Sequence, residues 1–399
     1  MNCIEKIERF CMSYLGYEIE ELLDMGAIHT SREICQQPEL WIGVYELLKK
    51  YEQEIASFVG EAYQECDRII LTGAGSSAFI GATVRSHFQV NSGKLAEAIA
   101  TTDLVSNPRT YFTRKHATLL ISFARSGNSP ESLAAVKLAD ELCDQCTHLI
   151  ITCNKDGELA RYQTRSKKYV FCLPEEANDQ SLAMTSSFTG MVVAGICVSK
   201  MSQINELAQP LTQAIEAGQK FINEQLLMVK KMAELPFNRI VFLGSGDNYG
   251  IAKEAALKLL ELTDGVVMSA YDSFLGFRHG PKSMITDQTL MVYFVSPPDE
   301  HAYQYERDLI NSIKLGTRPL AEVTVSEYTK IDITGTDQII FTSSPLLSKS
   351  GFLSVLYILV AQTLGVYKSI SLSIKPDIPS RNNDISRIVE GVTIYELFA

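Results

Sequence analysis

The sequence predicts an α/β protein: two tandem, doubly wound parallel sheets behind an N-terminal helical segment. Three observations predict this. Arg68-Ile69-Ile70-Leu71-Thr72-Gly73-Ala74-Gly75 returns as Arg239-Ile240-Val241-Phe242-Leu243-Gly244-Ser245-Gly246. Thr118-Leu119-Leu120-Ile121-Ser122-Phe123 returns as Thr289-Leu290-Met291-Val292-Tyr293-Phe294, at the same offset of 171 residues. Apolar strands also alternate with helical patterns throughout, an order that builds parallel sheets. Two copies of one strand–turn–helix–strand unit imply a site where the copies meet.

In chain order, residues 1–50 form the helical segment, 51–205 the first domain, 206–235 a linking helix, 236–375 the second domain and 376–399 a tail. The first segment has Leu, Ile and Tyr at helical spacing. His29–Ile34 reads as a helix start, and Pro38 ends or kinks the helix. Arg68–Thr72 is a strand, Gly73–Gly75 a turn, Ser76–Gln89 a helix and Ala117–Phe123 a strand. A polar loop, Arg125–Ser129, precedes Pro130, which suits the first turn of a helix through Glu131–Cys146. Short strands follow at His148–Cys153 and Lys168–Cys172, and Thr185–Met201 is apolar enough for a buried helix. The second half repeats the plan with strand 239–243, helix 248–263, strands 289–295 and 338–342, and helix 350–364. The two prolines of Lys375-Pro376-Asp377-Ile378-Pro379-Ser380 cannot donate to a ladder, so the tail begins there.

A length of 399 residues suits two domains, and 46% hydrophobic with 21% charged residues reads as soluble and globular. A net charge of −11 argues against non-specific nucleic-acid binding. A local nest of N–H groups can still bind phosphate in an acidic protein. The nine cysteines show no disulfide framework, which points to reduced thiols in the cytoplasm. Cys143 and Cys146 read as a lone pair on a helix, two semi-buried thiols rather than zinc ligands. The first residues lack the pattern of a signal peptide, and no segment reaches the roughly 18 apolar residues of a membrane span.

Three loops are candidates for chemistry. Gly73-Ala74-Gly75-Ser76-Ser77 runs from strand to helix and so directs backbone N–H groups at an anion. Its spacing is not that of a dinucleotide fingerprint, since Ala78 stands where the third glycine belongs, and no Gly-Lys-Ser/Thr follows. The serines serve equally as caps. Arg125-Ser126-Gly127-Asn128-Ser129 also joins strand to helix and could converge on phosphate, or be a plain turn with Ser129 as N-cap. Its counterpart, Ser296-Pro297-Pro298-Asp299-Glu300, offers prolines and carboxylates instead, so the second half has lost this loop. The third is Glu261, at the end of an apolar helix, with Arg278-His279-Gly280-Pro281-Lys282. Glu261 is a general base or an exposed helix-end glutamate, and His279, one of six histidines, is catalytic or structural.

At these residues the chain resembles the sugar isomerase (SIS) domain family across both halves. The matches are the G-x-G-S-S loop, the S-G-x-S loop, and Glu33-Ile34 with Gln36-Gln37-Pro38. Gly244-x-Gly246-Asp247-x-Tyr249, running to Glu254-Ala255-Ala256-Leu257-Lys258-Leu259 and then His279-Gly280-Pro281, is similar to the isomerase half of glucosamine-6-phosphate synthase. The stretch Tyr271–Ser283 resembles the subfamily of tagatose-6-phosphate ketose/aldose isomerases and galactosamine-6-phosphate deaminases. The resemblance implies two flavodoxin-like SIS domains. It implies phosphate contacts from Ser77, Ser126 and Ser129, with Arg125 a further substrate contact, Ser76 near the sugar and Thr185 on sugar hydroxyls. It also implies Glu261 as the base at C2, Lys258 nearby, and His279 as the ring-opening acid/base, lent by a neighbouring subunit of a homodimer or larger homo-oligomer.

Two departures bear on the reaction. The segment before Arg68 is too short for a glutaminase domain, which favours breakdown of an amino sugar over its synthesis. Where the synthase carries a C-terminal lysine, this chain has Glu390 or its neighbours. The reaction so implied is deamination with isomerisation, most simply galactosamine 6-phosphate to tagatose 6-phosphate and ammonia in amino-sugar catabolism. The alternatives are aldose–ketose isomerisation of a phosphosugar, or phosphosugar binding without catalysis. No cofactor or metal is expected, and neither nucleic acid nor membrane is an expected partner.

Overall fold

A computed structural model of the chain describes residues 13–297, 300–327, 331–341, 346–387, 389 and 391–397. Glu390, Pro298 and Asp299, named above, lie outside the described residues. A short hairpin, Ser13–Tyr14 with Tyr17–Glu18, leads into helices α1 (Ile28–Cys35), α2 (Gln37–Lys50) and α3 (Glu52–Glu65).

The first sheet contains β1 (Arg68–Thr72), β2 (Leu95–Ala98), β3 (Thr118–Ala124), β4 (Cys146–Thr152) and β5 (Lys167–Cys172), in spatial order β2-β1-β3-β4-β5. The second contains β6 (Arg239–Gly244), β7 (Met268–Asp272), β8 (Thr289–Phe294), β9 (Ala321–Ser326) and β10 (Asp337–Ile340), in the order β7-β6-β8-β9-β10. Every pairing in both sheets is parallel. The orders are one topology used twice, the flavodoxin-like order, in which the crevice opens where connections leave the sheet in opposite directions. The repeat extends to the register: Arg68 pairs with Thr118, and Arg239 with Thr289. The central strands β3, β4 and β8 are buried along their whole length, as a parallel sheet covered on both faces requires.

Each G-x-G turn is forced by close packing. A Cβ on Gly73 would lie 2.5 Å from the carbonyl carbon of Ser77, and one on Gly244 would lie 2.2 Å from the Asn248 oxygen. Gly75 and Gly246 cap the following helices with φ of 56° and 57°, a region that favours glycine. Those helices, α4 (Ser76–Ser92) and α9 (Asp247–Leu262), pack against each other and join the two halves. α5 (Pro130–Leu142) and α6 (Ser186–Ser199) complete the first half. α7 (Ala208–Glu224) and α8 (Leu226–Glu234), preceded by a 3₁₀ turn, replace the single linking helix expected from the sequence. α10 (His301–Ile313) and α11 (Leu353–Ser371) belong to the second half.

Three expectations need correction. The helix after Pro130 stops at Leu142, so Cys143 caps it and Cys146 opens β4: the two thiols do not share a helix. Among the described residues no cluster of metal-ligating side chains occurs. The strands β2, β7 and β9 were not expected. The first two are sheet edges with polar or exposed positions and lack the apolar run that marks a covered strand. Finally, α11 is long and apolar enough to cross a membrane, yet 94% of its apolar window is buried inside the protein. It is the central core helix, packed on α8 and α9.

Candidate active site

The crossing of α4 and α9 sets the geometry of the site. Gly250 lets the helices touch, since a Cβ there would lie 2.6 Å from the Thr83 backbone nitrogen. One face of α9 then presents Glu254, Lys258 and Glu261 at helical spacing toward the start of α4. Lys258 is wholly buried and donates to Ser76 Oγ at 3.1 Å, across 182 residues of sequence. It also donates to Glu261 Oε2 at 2.5 Å and lies 3.4 Å from Glu254 Oε1. Burial pushes the Lys258 ammonium down, but Glu254 and Glu261 outweigh it and hold the group above its ordinary value. Glu254 is fully enclosed: burial pushes its carboxyl up to about 7, against the pull of Lys258 and Ser76 and with the push of Glu261. A buried cation thus sits between two carboxylates, of which Glu261 is the one that reaches solvent, its side chain 20% exposed.

The first two loops meet near this cluster. Ser76 and Ser77 occupy the first turn of α4, both 5% exposed, with the Ser77 hydroxyl 3.8 Å from the Met184 sulfur. In the second loop Gly127 takes a φ of 66°, and Asn154 donates to the Ser126 carbonyl at 2.8 Å. Ser129 is the N-cap of α5 and accepts from the Ser132 N–H, so the capping reading holds for this residue. Arg125 is buried. One of its nitrogens donates to the Ser181 and Leu182 carbonyls at 3.2 and 3.0 Å, and the other to the Arg387 carbonyl at 2.8 Å.

Neither Thr185 nor His279 is hydrogen-bonded to the cluster among the described residues. Thr185 is wholly buried as the residue before α6, and its hydroxyl lies 3.5 Å from Asp179 Oδ1. Asp179 caps that helix, accepting from the Thr185, Ser186 and Ser187 N–H groups at 2.8, 3.2 and 2.9 Å. His279 lies on an exposed loop after a four-residue helix, its N–H donating to the Gly276 carbonyl. No hydrogen bond joins it to Glu261, Lys258 or Ser76 among the described residues.

Glu254, Asp179 and Arg387 were not among the site residues expected from the sequence. The Glu254–Lys258–Glu261 spacing on one helix face was the available signal for the first. Asp179 caps α6 from six to eight residues upstream, outside the usual N-cap spacing, and Arg387 acts through contacts with residues distant in sequence, which no local pattern reveals.

The second half explains its own lost loop. Ser296, the counterpart of Arg125, donates its N–H and hydroxyl to the fully buried Glu306 at 2.7 and 2.9 Å. The chain's own carboxylate therefore holds the donor that faces the crevice there. The crevice itself, about 260 Å³, is lined by Asp247, Glu300 and several serines, an unfavourable setting for phosphate.

Known proteins match both the architecture and the sequence. The SIS domain family matches residues 62–228 and 236–316. The D-galactosamine-6-phosphate deaminase AgaS of Shewanella sp. (strain ANA-3) is 41% identical over 388 residues, 96% of each chain. A crystal structure from Clostridium novyi NT superposes with a TM-score of 0.92 at 38% identity, covering 96% of this chain and 99% of that one. The tagatose-6-phosphate ketose/aldose isomerase of Escherichia coli gives a TM-score of 0.81 at 34% identity over 93% and 97% of the two chains. With its twin sheets, paired G-x-G turns and matched sequence, this chain belongs to the SIS domain family.

Proposed function

We propose that this enzyme deaminates and isomerises galactosamine 6-phosphate, giving tagatose 6-phosphate and ammonia. The observation that carries the reading is the 41% identity, along 96% of both chains, to a relative named for that deamination. The Ser76–Lys258–Glu261 cluster supports it chemically.

In this reading Ser77, Ser126 and Ser129 hold the phosphate, helped by the N-terminus of α4. Arg125 and Thr185 line the sugar end. His279, lent by a neighbouring subunit of a homodimer or larger homo-oligomer, opens the ring by moving a proton between O5 and O1. Glu261 takes the C2 proton of the open chain and the C1–O1 carbonyl gains one, leaving an enolamine. Return of the proton to C1 gives a C2 imine. Water adds to that imine and ammonia leaves, so one water is consumed for each ammonia released. Lys258 orients the Glu261 carboxylate through Oε2, leaving Oε1 for the transferred proton. The phosphate clamp supplies orientation, worth roughly 7–11 kcal/mol of barrier at the extreme. A cytoplasmic catabolic enzyme is the setting that fits.

The E. coli relative's name favours a second reading, aldose–ketose isomerisation of tagatose 6-phosphate by the same base without loss of nitrogen. Ammonia release separates the two. Purified protein is given galactosamine 6-phosphate, glucosamine 6-phosphate and N-acetylgalactosamine 6-phosphate in parallel. Ammonia from the galacto amino sugar alone is the expected result. Interconversion of tagatose 6-phosphate with its aldose and no ammonia would move the assignment to isomerase, and silence in both assays to a binding role.

A further inference from the structure

The Glu33–Pro38 motif is absorbed by none of the steps above, yet it is tied to the rim of the site. Glu33, on α1, is 1% exposed. Its Oε1 accepts from the Gln180 and Ser181 N–H groups at 2.6 and 3.2 Å, and its Oε2 accepts from the Ser181 hydroxyl. The carbonyls of Ser181 and Leu182 in turn receive the Arg125 guanidinium, whose other nitrogen reaches the Arg387 carbonyl of the tail. Arg387 closes the circuit by donating to the Asp179 carbonyl at 2.8 Å and to Asn178 Oδ1 at 2.7 Å. Gln36, one turn on from Glu33, donates to the Glu176 carbonyl at 2.8 Å and the Ser186 hydroxyl at 3.0 Å. Gln37 and Gln362 continue the tie to Thr185: the first donates to the second at 2.8 Å, and the second to the Thr185 carbonyl at 3.3 Å.

We infer that Glu33 is a positioning residue for the reaction: it fixes the 178–187 loop and, through Arg125, holds the C-terminal tail at Arg387 beside the sugar end of the site. A buried carboxylate that collects three donors from one loop is an effective staple, because removing it leaves those donors enclosed and unpaired. The loop it fixes supplies two of the three carbonyls that orient Arg125, and the tail supplies the third. Glu33 itself touches no reacting atom, so its effect falls on the placement of substrate.

The inference rests on the proposed reading of the site, and two readouts keep the two separable. Steady-state kinetics with galactosamine 6-phosphate are paired with limited trypsin digestion, following cleavage after Arg387 by mass spectrometry. For Glu33→Ala we expect KM to rise about tenfold or more with kcat changed less than about threefold, and cleavage after Arg387 to accelerate about tenfold. Glu33→Gln keeps an acceptor for the two N–H groups and restores both readouts to within about threefold of the unmodified enzyme. Normal KM and normal cleavage in Glu33→Ala would overturn the inference. So would equal impairment of both variants accompanied only by a lower melting temperature, since that is a purely structural role. If Glu33→Ala does not fold, Ser181→Ala tests the same link, with a smaller change in the same direction expected and no change overturning it. If the unmodified enzyme releases no ammonia, the proposed function fails, while the trypsin readout still decides the relay.

Discussion

At the scale of single residues, Glu254, Lys258 and Glu261 share one helix face but have three different environments. Glu261 alone combines partial exposure with a bond to the buried lysine, which suits a group that must exchange protons with a substrate. Glu261→Gln is therefore expected to cut turnover by roughly 10² to 10⁴ while phosphosugar binding, read by calorimetry, stays within a few-fold. Glu254 has a different signature. Its buried carboxyl holds a proton up to about 7, against 4.5 for an unperturbed glutamate. The folded chain binds that proton more tightly than the unfolded chain does. The resulting stability is thus fully present below the unfolded value and is lost as the pH rises through the folded one. Glu33, which burial also pushes up to about 7, contributes with the same sign. Melting temperature should therefore fall between about pH 5 and pH 8, and Glu254→Gln should remove a substantial part of that slope. An identical slope in the variant would rule out Glu254 as its source.

Among the elements, the α4–α9 crossing is the one on which the site depends. Lys258 reaches Ser76 only because the helices approach closely at Gly250, whose missing side chain leaves room for the Thr83 backbone. Gly250→Ala should cost about 1–3 kcal/mol, since backbone cannot yield as a flexible side chain does. It should also reduce kcat more than a surface substitution of equal thermal cost. A variant with normal stability and turnover would show that the helices separate freely. Elements also separate what was legible from what was not. β1, β3, β6 and β8 announce themselves as apolar runs that recur at one offset, β1 and β6 directly before G-x-G turns. β2 and β7 are edge strands with mixed faces, and their identity comes from pairing with β1 and β6.

For the whole molecule, one topology used twice has yielded two unequal crevices. In the first half the loops carry hydroxyls and the start of α4 faces the buried lysine of the other half. In the second, Glu306 takes the N–H and hydroxyl of Ser296. The exposed position of His279, with no bond to the cluster, accords with a histidine that serves a neighbouring subunit. The proposed sharing of His279 between the subunits of a homodimer has a specific consequence. Mixing inactive Glu261→Gln and His279→Ala subunits after dissociation and reassembly should regain activity, because one site of each mixed dimer then has both groups intact. Two variants that remain inactive together, while mixed dimers are shown to form, would place the histidine in the same chain as its glutamate.

The sequence by itself determined the twin α/β architecture, the strand-to-helix loops, and Ser76, Ser77, Lys258 and Glu261 as a candidate set. The architecture and the loops are encoded locally, in apolar runs and glycine turns that the repeat displays twice, whereas Glu261 stands out as a carboxylate ending an apolar helix run and Lys258 enters through the family resemblance. The tertiary structure decided what those groups meet. It brought Lys258 to Ser76, capped α6 with Asp179, engaged the Ser296 donors of the second crevice with Glu306 and tied Glu33 through Arg125 to the tail. Asp179 and Glu306 meet their partners 6 to 10 residues away, while Lys258 and Ser76 are 182 residues apart and Arg125 and Arg387 are 262 apart. Such partners are selected by the burial of polar groups that must find a hydrogen bond, which no local periodicity records.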